Sequence, residues 1–326
     1  MICPRGIKLT SLEYLSLRNC INLVILPEIL LPMNKLKFVD LGGTSIKGLP
    51  LSMQNLEGLQ ILSLEGCKKL EIDGSFNFFQ MLPQFFHNLT QLILRDSNLT
   101  ILPGCIEKCH SLKHLDVSNC KRLQEIRGLP RNTTHFWAHR TLVEADSSTL
   151  NMLLRRAIVS STICCYSLQG QRIPEWFDHS TKGNSMCLWF RNHFPSLTGC
   201  VVLRVCDDIK PPYHMKFNFF ISINDTGICV SCFSWGKVDC VSKNGHIFVL
   251  NLQPHFHHPL DLAIERALST KEWIRGDVLI TMGSEEDRSL GVVEWIGVYV
   301  NRAFSSMEDV RFTYPYSPND THVEGT

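Results

Sequence analysis

The sequence predicts two architectures in series, an α/β solenoid of short repeats followed by an all-β sandwich. Three observations carry this reading. Leucine is concentrated in the first part, with 27 in residues 1–130 against 15 in residues 131–326. All six tryptophans lie beyond residue 130. A Leu-x-x-Leu-x-Leu pattern recurs in the first part, whereas the second part has short alternating apolar segments between Gly, Pro, Asn and Asp clusters.

The repeats begin at Leu12, Leu36, Leu59, Leu89 and Leu112, spaced 24, 23, 30 and 23 residues apart. This is the period of a leucine-rich repeat. The first unit fills its positions with Leu12, Leu15, Leu17, Cys20, Leu23 and Leu26, the fifth with Leu112, Leu115, Val117, Cys120, Leu123 and Ile126. Each unit supplies one short strand whose leucines point inward with period two. Burying each leucine between neighbouring units contributes roughly 1.5–3 kcal/mol, and no unit is stable alone. Leu15, Leu41, Leu62, Leu92 and Leu115 are therefore expected to be buried. The column Cys20, Thr44, Cys67, Ser97 and Cys120 calls for a small residue that meets backbone groups inside the turn. The third unit is longer, and its extra stretch around Phe76, Phe78, Phe79 and Gln80 is expected to bulge from the convex or edge side.

The chain begins almost inside a repeat with no polar cap before Leu12, which suggests a fragment or an unusual cap. Past residue 130 the pattern fades. Residues 131–157 read as a terminal cap with a short helix over Asp146–Ala157. The expected division is repeats over 1–130, cap and linker over 131–160, the β-sandwich over 161–314, and a loose tail over 315–326. Strands in the second part are expected at Thr162–Leu168, Ser185–Phe190, Cys200–Cys206, Lys216–Ile223, Gly227–Phe233, His246–Leu252, Asp277–Met282 and Val292–Val300, with one helix over 259–269.

Composition narrows the function. Hydrophobic residues make up 44% and charged residues 19%, with a net charge of +1, and neither half is basic. This argues against a dedicated nucleic-acid or anionic-membrane surface. No apolar run is long enough to span a bilayer, and Met1–Thr10 lacks a signal-peptide core. The 14 cysteines read as free thiols in a reducing compartment. Five N-x-Thr sequons, at Asn88, Asn98, Asn132, Asn224 and Asn319, point the other way.

The form Leu-x-x-Leu-x-Leu-x-x-Cys-x-x-Leu-x-x-Leu-Pro over Leu12–Pro27, and GQRIPEWFDHSTKGNS over residues 170–185, resemble the C-terminal part of plant Toll/interleukin-receptor-type nucleotide-binding leucine-rich-repeat disease resistance proteins. The Ile-Pro-x-Trp-Phe segment is similar to the one that opens the family's C-terminal jelly-roll/immunoglobulin-like domain. Ile296–Gly297 departs from the family, where a Cys-Gly pair is common. The resemblance implies a protein-recognition module that senses a pathogen effector or a guarded host protein and restrains the nucleotide-binding domain of an intact receptor. It implies a cytoplasmic or nuclear location, no enzymatic activity in this part, and no cofactor. Read from the residues alone, Pro174 favours extended backbone at Ile173, and Trp176 and Phe177 anchor a strand.

No phosphate-cradling loop, Gly-x-Gly-x-x-Gly, or His-Glu-x-x-His helix is present. Gly183–Cys187 lacks the final glycine of a nucleophile elbow. Cys105/Cys109/His110, Cys229/Cys232 and His255/His257/His258 contain metal-ligand types without convincing placement, so no metal is expected. The stronger candidate is the concave face. Arg18, Asp40, Glu65, Arg95, His114 and Asp116 are expected to steer a protein partner there, with Phe38, Ile61 and Ile93 as buried anchors. Arg172, Asp178, His179 and Lys182 are further candidates by adjacency to the family motif. Two other readings stand beside this one: a glycan-binding or hydrolytic sandwich using Trp189, Trp235 or Trp273, and a secreted receptor ectodomain.

Overall fold

The computed structural model describes residues 6–71, 78–143, 151, 165–205, 213–223, 226–238, 245–251, 264–269, 272–283 and 291–313. The chain divides into two compact units, Met1–Gln169 and Gly170–Thr326. Among the described residues no helix is long and apolar enough to cross a membrane.

In the first unit, strands Tyr14–Ser16, Phe38–Asp40, Ile61–Ser63, Gln91–Ile93, His114–Asp116, His135–Ala138 and Cys165–Gln169 lie parallel and in register. Leu15, Val39, Leu62, Leu92, Leu115, Phe136 and Tyr166 are successive partners across the sheet. They form one inward column, and all but Leu15 are buried. Leu41, Leu64, Leu94 and Val117 form a second buried column. Leu15 was expected to be buried but is half-buried, because among the described strands its own has a neighbour on one side only.

After each strand the chain reverses through a residue with positive φ. Asn19 (61°), Gly43 (69°), Gly66 (69°), Asp96 (54°), Asn119 (58°) and Arg140 (56°) all occupy this place. Glycine enters the left-handed region without a Cβ clash, and Asn and Asp tolerate it. The amide at this point then reaches the following repeat: Asn19, Gly43, Gly66, Asp96 and Asn119 donate to the carbonyls of Gly42, Glu65, Arg95, Ser118 and His139, at 2.7–2.9 Å. The next residue is the small one of the repeat. The Cys67 thiol donates to the Leu41 carbonyl at 3.1 Å and that of Cys120 to Leu94 at 3.2 Å, with Thr44 and Ser97 beside them.

Two strands of this parallel sheet lie outside the five repeats seen in the sequence. The sixth, His135–Ala138, comes from the segment where the pattern fades, because Thr133, Phe136, Ala138 and Thr141 take the buried places. Cys165–Gln169, read from the sequence as opening the second half, pairs in parallel with His135–Ala138. The Asp146–Ala157 helix lies almost wholly outside the described residues. The long third unit contains a helix, Phe78–Phe85, which buries Phe78, Phe79, Met81 and Leu82. Pro83 removes an intrahelical donor, and the helix ends two residues later.

The second unit contains two antiparallel sheets. One has the order His179–Lys182, Gly291–Val300, Leu197–Val205, His246–Asn251. The other has the order Thr226–Val238, Tyr213–Ile223, Ile274–Gly283, Ser185–Phe190, Val310–Thr313. His179 of the first stacks on Phe312 of the second, with ring centroids 5.0 Å apart. Residues 264–268 are helical.

The Ile-Pro-x-Trp-Phe segment fastens to the strand Gly291–Val300. Phe177 donates to the Pro174 carbonyl, closing a turn, and Asp178 donates to Val298. Trp176, Phe177 and Tyr299 pack together, with centroids 4.3 to 6.4 Å apart. Gly297 leaves room for Ile173: a Cβ there would lie 2.6 Å from Ile173 Cγ2.

Two stability changes follow. Arg140→Gly relieves a left-handed residue that carries a long side chain and is expected to stabilise by about 0.5–1 kcal/mol. Gly297→Ala drives a methyl into Ile173 and is expected to destabilise by roughly 1–3 kcal/mol. Urea midpoints measure both; a fall for Arg140→Gly or no change for Gly297→Ala would contradict these assignments.

Candidate functional site

The residues that alternate with the buried column form the outward face of the parallel sheet in the first unit. Tyr14, Phe38, Ile61, Gln91, His114 and His135 are successive partners in one column. Strands about 4.8 Å apart bring neighbouring rings into stacking range. Tyr14 and Phe38 stack with centroids 4.4 Å apart and planes 4° apart, and His114 and His135 do the same at 4.4 Å and 5°. Trp137 completes the second cluster, 5.5 Å from His135 and 6.2 Å from His114. The next column runs Ser16, Asp40, Ser63, Ile93, Asp116, Trp137, so Ile93, Asp116 and Trp137 adjoin one another.

Several charges expected to meet a partner are used within the unit. The Arg18 guanidinium donates to Glu65 Oε2 at 2.7 Å and lies 3.5 Å from Asp40 Oδ2. Its pKa is raised, chiefly by the Glu65 hydrogen bond. Arg18 can span two repeats because the intervening residue is Gly42, where a Cβ would lie 2.8 Å from Arg18 Nη1. Asp40 is buried and accepts the Gly42 amide at 2.8 Å. Asp116 repeats this turn, accepting from Ser118 N at 2.8 Å. Burial pushes the Asp116 carboxyl up, while the Ser118 donors and the Arg95 charge act in the opposite direction. Lys68 pairs with Asp96 at 3.3 Å.

His135 and Trp137 belong to this face but escaped sequence reasoning. Their signal was the alternation His-Phe-Trp-Ala, with Phe136 and Ala138 turned inward. Burial, with the neighbouring His114 as a lesser cause, lowers the His135 pKa to about 4. Burial also lowers that of His114.

In the second unit, Arg172 and Lys182 are exposed. Asp178 is committed internally: it accepts Val300 N at 2.7 Å and Arg302 Nη2 at 2.5 Å. Half-buried His179 lies against Phe312, and burial lowers its pKa. Trp273 carries the guanidinium of Arg311 at 4.0 Å and that of Arg191 at 5.1 Å, so a sugar would compete with both for the indole. The side chain of Trp235 lies outside the described set, as do those of Cys229 and Cys232; residues 255–258 are outside the described residues altogether.

The Cys109 thiol is pushed up to about 12 by burial. Among the described residues, no three His, Cys, Asp or Glu converge on a metal position. Three sequon asparagines serve the repeats: the side-chain amides of Asn88, Asn98 and Asn132 donate to the carbonyls of Glu57, Lys68 and His110.

No protein-family model matches the chain. It is 30% identical to Disease resistance protein RML1B of Arabidopsis thaliana, over 60% of this chain and 24% of that protein. The chain is homologous to plant disease resistance proteins. Disease resistance protein RPS4B of the same plant is 28% identical over 49% of this chain and 16% of its own length. Protein SUPPRESSOR OF npr1-1, CONSTITUTIVE 1, also from that plant, is 29% identical over 52% of the chain and 11% of its length. The chain thus spans a quarter or less of the length of these relatives. The resemblance drawn from Leu12–Pro27 and residues 170–185 is borne out at the level of this family.

The histidine cluster makes stability depend on pH. Native His135 resists protonation until about pH 4, whereas the unfolded chain takes up the proton near 6.5. Stability is therefore lost as pH falls between these values, by about 1–2 kcal/mol after allowance for partial exposure. Asp116, with its raised pKa, acts in the opposite sense. The urea midpoint of His135→Gln is expected to fall less from pH 7 to pH 5 than that of the parent chain; equal falls would contradict the assignment.

Proposed function

We propose that the chain is the protein-recognition part of a plant intracellular immune receptor of the Toll/interleukin-receptor-type nucleotide-binding leucine-rich-repeat class. In this reading residues 1–130 are a leucine-rich-repeat solenoid and 131–160 its cap and linker. Residues 161–314 hold a jelly-roll/immunoglobulin-like sandwich, which begins after the Cys165–Gln169 strand of the first unit, and 315–326 form a loose tail. The partner is a pathogen effector or a guarded host protein, and in an intact receptor the same part restrains the nucleotide-binding domain. The chain acts by binding rather than by catalysis, in the cytoplasm or nucleus.

The observation that carries this reading is the outward face of the parallel sheet. It has aromatic groups at both ends, exposed Tyr14 on half-buried Phe38 and the half-buried His114, His135 and Trp137, and the Arg18–Glu65 ion pair crosses its first three repeats. Aromatic anchors held by a rigid sheet suit a protein interface, since little side-chain freedom is lost on binding. Homology to disease resistance proteins supports the link to defence. Because Arg18, Asp40 and Glu65 are paired with one another, they contribute register rather than anchoring energy.

Co-precipitation from plant tissue with a candidate partner tests the proposal. Ile93→Ala and Trp137→Ala are expected to weaken capture by about tenfold or more, as loss of a buried anchor does. Lys47→Glu, on an exposed connection, is expected to have little effect. Full capture by both anchor variants, with the fold intact, would remove this face from the proposal.

A further inference from the structure

A different part of the first unit carries a separate site. The other connections between strands include short 3-10 turns, Leu51–Asn55 and Gly104–Lys108, whereas the long third unit inserts the helix Phe78–Phe85. The helix packs against both turns. The thicker element beside the thin one leaves a cleft of about 720 Å³ between the helix and the Gly104–Lys108 turn. Its wall is one-sided in charge. Lys108, His87 and His110 line it, together with the amide of Gln84, and no carboxylate does so among the described residues. Lys108 is exposed and forms no ion pair with a described residue. Pro83 adds an apolar surface, and the half-buried Cys105 thiol faces the same space. Burial raises the Cys105 thiol pKa, with the Lys108 charge acting weakly in the opposite direction.

We propose that this cleft binds a small organic anion, with its carboxylate or phosphate oxygens against Lys108, His87 and His110 and its carbon body over Pro83. A lysine with no ion pair among the described residues, amide and imidazole groups, and an apolar flank form the usual composition of such a pocket. The site is independent of the sheet face proposed for protein recognition, so either can fail without the other.

The test uses the full chain and the thiol already in the cleft. Iodoacetamide alkylation of Cys105 is followed by peptide mass spectrometry in the presence of benzoate, phenyl phosphate or uncharged benzyl alcohol. Exposed Cys20 serves as an internal reference. One or both anions are expected to slow Cys105 alkylation saturably, with Cys20 unchanged and benzyl alcohol ineffective. Stronger protection by phenyl phosphate assigns a phosphate ester, and stronger protection by benzoate a carboxylate. Lys108→Gln and Gln84→Glu, both at exposed positions, are expected to raise the half-saturating concentration about three- to tenfold. Absence of saturable protection by both anions, equal protection by benzyl alcohol, or unchanged half-saturation in both variants would overturn the proposal.

Discussion

The first unit depends on one backbone constraint, the left-handed residue that follows each strand. It turns the chain out of the sheet while aiming its amide at the next repeat. Asn19, Gly43, Gly66, Asp96 and Asn119 all donate to the third outward residue of their neighbour. A right-handed residue there would misdirect this amide and leave a donor to be satisfied elsewhere. The small residue that follows can then enter the interior, where Cys67 and Cys120 use their thiols as donors to the preceding repeat. Leucine burial supplies the driving force, but the turn decides that the buried columns stack without slippage.

The outward face inherits this register. Because each strand is fixed against the next, like positions form straight columns, and the side chains in a column must suit one another. Arg18 reaches Glu65 only because Gly42 intervenes, and the His114 and His135 rings stack because their strands are direct neighbours. In the second unit the comparable constraint is Asp178, whose carboxylate takes the Val300 amide and the Arg302 guanidinium while its own amide reaches Val298. With Ile173 seated over Gly297, this fixes the motif segment to its strand.

Much of the first unit was legible because leucine at fixed spacing has one economical explanation. The same reasoning stopped at residue 130 because Phe136 and Ala138 fill the inward places of the sixth strand without resembling leucine. Its turn residue, Arg140, also hides the left-handed position that Asn, Asp and Gly advertise elsewhere. Column membership of Phe38, Ile61, Ile93 and His114 was readable from spacing, but the state of the charges was not. Spacing places Arg18, Asp40 and Glu65 on one face; only the side-chain geometry shows that they satisfy one another. For Asp178 the sequence offered adjacency to the Trp-Phe pair, and its use by Val300 and Arg302 depends on contacts more than 120 residues away in the chain.

Native-state amide hydrogen exchange tests the central claim most directly. If the left-handed turns hold the repeats in register, the amides of Gly43, Gly66, Asp96 and Asn119 will exchange slowly, together with the strand amides beside them, although they sit in turns. Exchange of these four at rates typical of exposed loops, with the strands still protected, would show that the ladder is not what fixes the face.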